Sequence, residues 1–286
     1  MRFDRFFFAS AILLLAMASC QNKEEDIDGG LIRGGGEIAF IAGGEGLSFD
    51  VVSKATSVTS LTEFNVNCVT GTLGSAETSK FNTAFTKDGV VFKGGQYWPS
   101  TNGNYKFYAS NVAITPASSG ATVAATNATD VVCAVLPSPT FGSTNELTFN
   151  HIFAQVGKVS LTAPGYTVSN LSIKITPKTG GTYNLFTGNG KTDGTGWTGV
   201  NTGSEVTLKT DGTSNVLYLV PGQYTLTATF TLTLGAYSET FSKTATVNVV
   251  GGKVNDITGT ADGNAALITF SVNVTPWGTN NINASF

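Results

Sequence analysis

The sequence predicts an all-β protein built from β-sandwiches. Three observations carry this: short runs with two-residue alternation or β-branched and aromatic enrichment, turns rich in glycine, and almost no stretch of helical period. Strands with no helices between them bury their apolar faces sheet on sheet. The 286 residues, less a leader, suffice for two domains of ordinary size or one large sandwich.

The chain opens with Arg2 and Arg5, an apolar run from Phe6 to Met17, and small residues leading into Cys20, which is the layout of a secretory signal. Asp4 lies between the arginines, yet the segment stays net positive. The run falls short of the ~20 apolar residues that cross a bilayer. Cleavage before Cys20 exposes its thiol for diacylglyceryl attachment, and acyl chains at ~0.8 kcal/mol per buried methylene anchor a protein durably. The plainer alternative is an ordinary signal peptide with an incidental cysteine. Residues 1–19 are read as a lipoprotein signal peptide and 20–36 as a tether of propeptide character. Lys23-Glu24-Glu25-Asp26 is by composition a solvated charge run. It is similar to the acidic tag that sends lipoproteins of some anaerobic Gram-negative bacteria to the outer face of the outer membrane. Arg33, the only arginine after the leader, lies between Asp28-Gly29-Gly30 and Gly34-Gly35-Gly36, the kind of accessible setting proteases prefer.

Glu37 to Ala42 is the first predicted strand. Ile38, Phe40 and Ala42 point one way and Ala39 and Ile41 the other, so apolar side chains occupy both faces, as in a segment buried between neighbours. A short helical turn is predicted over Ser57 to Glu63. Strands are predicted over Leu47 to Ser53, Glu63 to Val69, Tyr105 to Asn111, Leu147 to Ile152, Val156 to Ala163, Leu171 to Thr176, Val216 to Val220 and Leu267 to Thr275. Gly188 to Gly199 reads as a loop.

The clearest local signal is a hairpin. Tyr224, Leu226, Ala228, Phe230, Leu232 and Leu234 alternate with threonines, Gly235-Ala236 follows, and Tyr237 starts the return. Gly-X is the two-residue loop of a type II′ turn. Pairing Leu234 with Tyr237 sets Phe230 opposite Phe241 and Leu226 opposite Ala245. It also sets Leu232 against Glu239 and Ala228 against Lys243, which a fully buried face would not accept, so the turn end is expected to protrude into solvent. A domain boundary is placed near Phe153 to Gly157, giving domains 37–155 and 156–286.

Charged residues make up 12% of the chain against about 25% in ordinary domains, yet apolar content is too high for a disordered protein. The net charge is −3 and the lysines are scattered, so no basic stripe builds the footprint a phosphate backbone requires and no nucleic-acid partner is expected. Cys68 and Cys133 remain after Cys20. Buried free thiols are the simpler reading; the alternative is a disulfide closing about 65 residues.

Tyr97-Trp98-Pro99, Tyr105-Lys106-Phe107-Tyr108-Ala109, Phe149-Asn150-His151 and Val274-Thr275-Pro276-Trp277, in that order, resemble the fimbrillin family of type V pilins and minor fimbrial subunits. Ser53-Lys54-Ala55-Thr56 looks like the family's early basic-Ala-Thr segment, with lysine where arginine is more usual. Tyr97, Trp98, Phe107 and Trp277 are expected in the core. The resemblance implies two tandem transthyretin-like β-sandwich domains, export as an outer-membrane lipoprotein, and assembly once a trypsin-like, arginine-specific protease has cut the N-terminal segment. Applied here, the cut falls between Arg33 and Gly34 and frees the chain from its lipid. Displacing the strand of Ile38, Phe40 and Ala42 would open a groove for another subunit's strand, which the resemblance places within Leu267 to Phe286 of the partner. The alternative is that Glu37 to Ala42 is simply the first strand and stays in place.

Catalytic constellations are not found. His151 is the sole histidine and ends an apolar strand pattern, so a structural role is expected. One histidine and two ordinary cysteines do not make a zinc set. Gly188-Asn189-Gly190-Lys191-Thr192 has Leu185 where a phosphate loop needs its earlier glycine. Asp193, Asp211 and Asp256 fall in or beside Gly- or Asn-containing turns. No cofactor, no metal and no enzymatic activity is expected. The reading is a structural subunit of surface fimbriae supporting adhesion; the alternative is a monomeric surface lipoprotein that binds glycan or host protein.

Overall fold

A computed structural model describes residues 36–44, 47–48, 59–99, 101, 103–210, 213–214, 217–262 and 268–276. The first strands are β1 (Glu37–Gly44), β2 (Leu47–Ser48), β3 (Thr59–Ser60), β4 (Glu63–Thr72), β5 (Ala76–Asp88) and β6 (Val91–Tyr97). After them come β7 (Lys106–Ser110), β8 (Ile114–Thr115), β9 (Thr122–Thr126), β10 (Val132–Leu136) and β11 (Asn145–His151). Seven of these close on themselves in the order β1-β11-β10-β7-β4-β5-β6, with β6 returning to β1. Strands that alternate in direction cannot close a ring of odd number, so one junction has to be parallel. That junction is β1 with β11; the other six are antiparallel. Closure leaves no free edge in this sheet.

Alternation along the ring's strands sends one set of side chains inward. Phe40, Phe64, Phe85, Phe92, Phe107 and Phe149 fill the interior, with Trp98 beside them, all buried. Phe64 meets Phe92 at 4.6 Å and Phe149 at 5.1 Å between ring centroids.

The remaining elements are β12 (Ala154–Thr162), β13 (Thr167–Ile175), β14 (Lys178–Asn184), α1 (Leu185–Gly188), β15 (Trp197–Thr202) and β16 (Val206–Thr210). Then follow β17 (Thr213–Ser214), β18 (Leu217–Leu219), β19 (Gly222–Leu234), β20 (Tyr237–Val249), β21 (Lys253–Ala261) and β22 (Ile268–Pro276). Sheets β18-β12-β21-β22 and β17-β16-β13-β19-β20 enclose a second core of Val156, Leu161, Ile173, Leu226, Phe230 and Ile257 among others. A further sheet, β15-β14-β9-β8, draws strands from both sides of residue 155. A third core joins Tyr108 and Cys133 to Val123 of β9, Tyr183 of β14, Phe153 and Val220.

The hairpin of β19 and β20 has the predicted register throughout, from Leu234↔Tyr237 through Phe230↔Phe241 to Leu226↔Ala245. Gly235 has φ +59° and Ala236 stays out of the positive region, as a type II′ turn requires. The face opposite Glu239 is more buried than expected, since Leu232 is covered and only Leu234 emerges at 54% exposure. β20 is an edge strand, so Glu239 reaches water while its partner on β19 stays inside.

Several expectations are corrected. Thr59–Ser60 is a strand and Glu63 begins another, so no helical turn forms there among the described residues. The predicted loop ends at Gly196, because Trp197 starts β15, where its ring packs on Phe153 and Tyr183. Asp256 lies inside β21, where its carboxylate accepts the backbone N–H of Lys158 at 2.7 Å. That bond holds a bulge in β12 whose register shifts between Val156 and Val159. Gly157 is required beside it, because a Cβ there would stand 2.3 Å from Asp256 Oδ1.

Candidate functional site

The site begins with β1, because every other neighbour in the ring is set by strands that come later. β1 runs antiparallel to β6, with Glu37↔Tyr97 and Phe40↔Phe92, and parallel to β11, with Phe40↔Asn145 through Gly44↔Phe149. Both of its edges are therefore hydrogen-bonded. At its start, the Trp98 N–H donates to Gly36 O at 3.1 Å and the Gly95 N–H to Glu37 Oε1 at 3.1 Å, which bridges a register shift between Glu37 and Ala39.

Ile38, Phe40 and Ala42 point into the ring and are buried. Phe40 is 0% exposed and meets Phe107 edge-on at 5.0 Å and Phe85 at 5.3 Å. Ala39 is also buried, whereas Ile41 on the outer face is 48% exposed. Burying Ile38 and Phe40 stabilises the ring by about 1.5–3 kcal/mol each, a large part of the ~5–15 kcal/mol that holds a domain folded. Without β1 the ring is a groove: an apolar trough flanked by the unpaired edges of β6 and β11. Such a groove accepts a strand that runs antiparallel to one wall and parallel to the other.

Cys20, Arg33 and Gly34 lie outside the described residues, as do Asp211 and Trp277. Trp98 and Phe107 are core residues as expected, but Tyr97 is 42% exposed because it sits at the end of β6 on the outer face. His151 is buried, and its Nδ1 lies 2.9 Å from the Asp130 carboxylate, a pairing that ties the end of β11 to the approach to β10. Asp193 closes a turn by accepting the Thr195 N–H at 3.0 Å, which holds its carboxyl below the usual range. Among the described residues no cluster of metal-ligating side chains forms, and no helix is long and apolar enough to cross a membrane.

Cys68 and Cys133 are free thiols. They stand across from Phe107 and Ser110 on the two sides of β7, but Cys68 faces the ring interior and Cys133 faces the third core. Opposite faces of one sheet cannot be bridged without moving backbone, which rules out the alternative disulfide. Burial pushes the Cys133 thiol up to about 12 despite its contact with Ser110.

Sequence reasoning missed a buried carboxylate. Glu77 Oε1 accepts from the Tyr108 hydroxyl and from the Gly74 N–H, and burial followed by this carboxylate raises the Tyr108 hydroxyl well above its ordinary value. The signal would have been a glutamate on an otherwise neutral, β-rich run, Ala76 to Ser79.

A profile of the fimbrillin-like family matches residues 48–277. The chain belongs to the fimbrillin-like family. Comparison with curated proteins gives no match. Among solved structures, this fimbrillin-like chain is similar to a fimbrial protein from Bacteroides vulgatus, with TM-score 0.51, 11% identity, and coverage of 84% of this chain and 99% of that one. It is also similar to a candidate cell adhesion protein from Bacteroides uniformis, with TM-score 0.50, 18% identity, and coverage of 84% and 99%. At these identities the likeness is one of fold. The matched region begins after β1, so the strand that closes the ring lies outside the span the family profile matches.

Proposed function

We propose that the protein is a structural subunit of cell-surface fimbriae, exported as a lipoprotein acylated at Cys20 and held in the outer membrane until an arginine-specific protease cuts between Arg33 and Gly34. The cut releases the N-terminal end of β1, only three residues upstream of Glu37. Displacement of Ile38, Phe40 and Ala42 from the ring then presents the groove, and a strand from another subunit fills it by β-augmentation. Adhesion follows from the fibre so built. The observation that carries this reading is the position of β1: the strand that makes the single parallel junction in a closed ring is the first to follow, in sequence, the one arginine outside the leader, in a chain of the fimbrillin-like family.

A second reading is favoured by the pairing of both edges of β1, which makes the ring complete without a neighbour. On that reading the chain stays a monomeric surface lipoprotein that binds glycan or host protein through its loops. Arg33→Ala separates the two. Loss of SDS-resistant oligomers from cells carrying the variant supports the fimbrial subunit; an unchanged oligomer ladder overturns protease-triggered assembly.

A further inference from the structure

We infer that the free edge of β20 is a pairing site for β20 of a second copy, joining two molecules side by side through one continuous sheet. The inference concerns the sandwich of the second core and needs neither the cut at Arg33 nor any movement of β1.

The edge is long and open. β20 is the last strand of its sheet and pairs on one side only, with β19, from Leu234↔Tyr237 to Gly222↔Val249. The pair that flanks a two-residue turn shares its hydrogen bonds, so Tyr237 and every second residue after it turn their backbone groups toward β19. Ser238, Thr240, Ser242 and Thr244 turn theirs outward, and all four are exposed. β22 of the facing sheet approaches β20 but pairs with β21 alone. Among the described residues no backbone hydrogen bond reaches the outer edge of β20. A row of unpaired N–H and C=O groups is a template for another strand.

Charge decides which strand. Phe241, Ala245, Val247 and Val249 pack on the sandwich core, so Glu239 and Lys243, in the same alternation, point the same way. These are the two charges that the hairpin register sets against Leu232 and Ala228. Inward charges on an edge strand keep unrelated strands away, because they meet no partner there. Here they have opposite signs and stand two residues to either side of Phe241. Neither forms an ion pair among the described residues, and the Glu239 carboxylate accepts from the Tyr237 hydroxyl at 2.6 Å.

A second β20, laid antiparallel about a two-fold axis through Phe241, supplies both missing partners. Glu239 faces Lys243 twice, Phe241 faces Phe241, and Tyr237 faces Ala245. On the other face Ser238 meets Thr244 and Thr240 meets Ser242. The residues whose backbone groups turn outward are then the hydrogen-bonded pairs. Glu239, Phe241 and Lys243 occupy the pairs between them, where Cα atoms stand about 4.5 Å apart and side chains meet most closely. Backbone, charge and apolar contact are thus satisfied in a single register. Sliding by two residues sets Phe241 against a charge, and sliding by four sets like charges together. The contact is isologous, so it closes as a pair rather than growing into a chain.

Exchange of the two charges tests this. The mature chain with Cys20→Ser, which has no lipid to drive association and keeps Arg33 uncut, is followed by sedimentation equilibrium. A monomer–dimer equilibrium is expected that shifts toward monomer as salt rises. Glu239→Lys alone, or Lys243→Glu alone, turns both ion pairs into like-charge pairs and should weaken dimerisation by about tenfold or more. Glu239→Lys together with Lys243→Glu restores opposite charges in the same register and should restore the dimer, a recovery that misfolding would not produce. A chain that stays monomeric at the highest soluble concentration overturns the inference. So does a dimer indifferent to both single reversals, or a double variant that stays dissociated.

Discussion

Phe40 anchors β1 in the ring, because its ring meets aromatic side chains of two other strands, Phe85 of β5 and Phe107 of β7. Phe40→Ala is expected to cost about 3–5 kcal/mol, read as a lower midpoint in chemical denaturation, whereas Ile41→Ala on the outer face should stay within about 0.5 kcal/mol. Equal effects would contradict the assignment of faces. At the bulge, Gly157→Ala drives a methyl group into Asp256, so its cost should fall when Asp256→Ala is present; additive losses in a double-mutant cycle would contradict that coupling. Cys133 gives a pH dependence. Its thiol is held at about 12 in the fold against an ordinary 9.0, so its contribution to stability is whole below about pH 9 and is lost as pH rises toward 12. Denaturation midpoints measured from pH 7 to 11 should fall above pH 9, and Cys133→Ala should remove its share of that fall, the rest belonging to Cys68 and the buried tyrosines, which burial also shifts up. The alternation of Ile38, Phe40 and Ala42 was legible because one buried face demands it. The roles of Asp256 and Tyr97 were not, because the partner that holds Asp256 is 98 residues away and nothing in the local pattern marks Tyr97 as facing outward.

Among the elements, the β19–β20 hairpin was readable to the residue, since a Gly-X turn fixes register and threonines alternate with apolar side chains along the outgoing strand. Gly235 is expected to tolerate only residues that accept a positive φ: replacing Gly235-Ala236 with Asn-Gly should keep the fold, while Gly235→Val should lower stability by about 1 kcal/mol or more in thermal unfolding. A neutral Gly235→Val would contradict the turn assignment. β5 escaped sequence reading because only Phe81 and Phe85 stand out as large apolar residues in a run that is otherwise polar or small, and much of its outer face is exposed. β10 escaped for the opposite reason: Val132 and Ala134 face the ring while Cys133 faces the third core, so burial on both faces removes the alternation. The short helical turn expected before Glu63 lost to pairing of Thr59–Ser60 with Leu47–Ser48.

At the scale of the molecule, the all-β class followed from composition and period, but the closure of seven strands into a ring did not. Its pairings join β1 to a strand about 100 residues later, and no local pattern records such a partner. The sheet that unites β9 with β14 across residue 155 was invisible for the same reason. What the sequence carries for the proposed assembly is an order along the N-terminal segment: Cys20, where the proposal places the lipid, then Arg33 between glycines, then the strand that completes the ring. Mass spectrometry of the N-terminus of this protein, taken from fibres sheared off the cell surface, tests that order most directly. The account predicts a subunit that begins at Gly34 and carries no lipid; subunits in the fibre that begin at acylated Cys20 would contradict it.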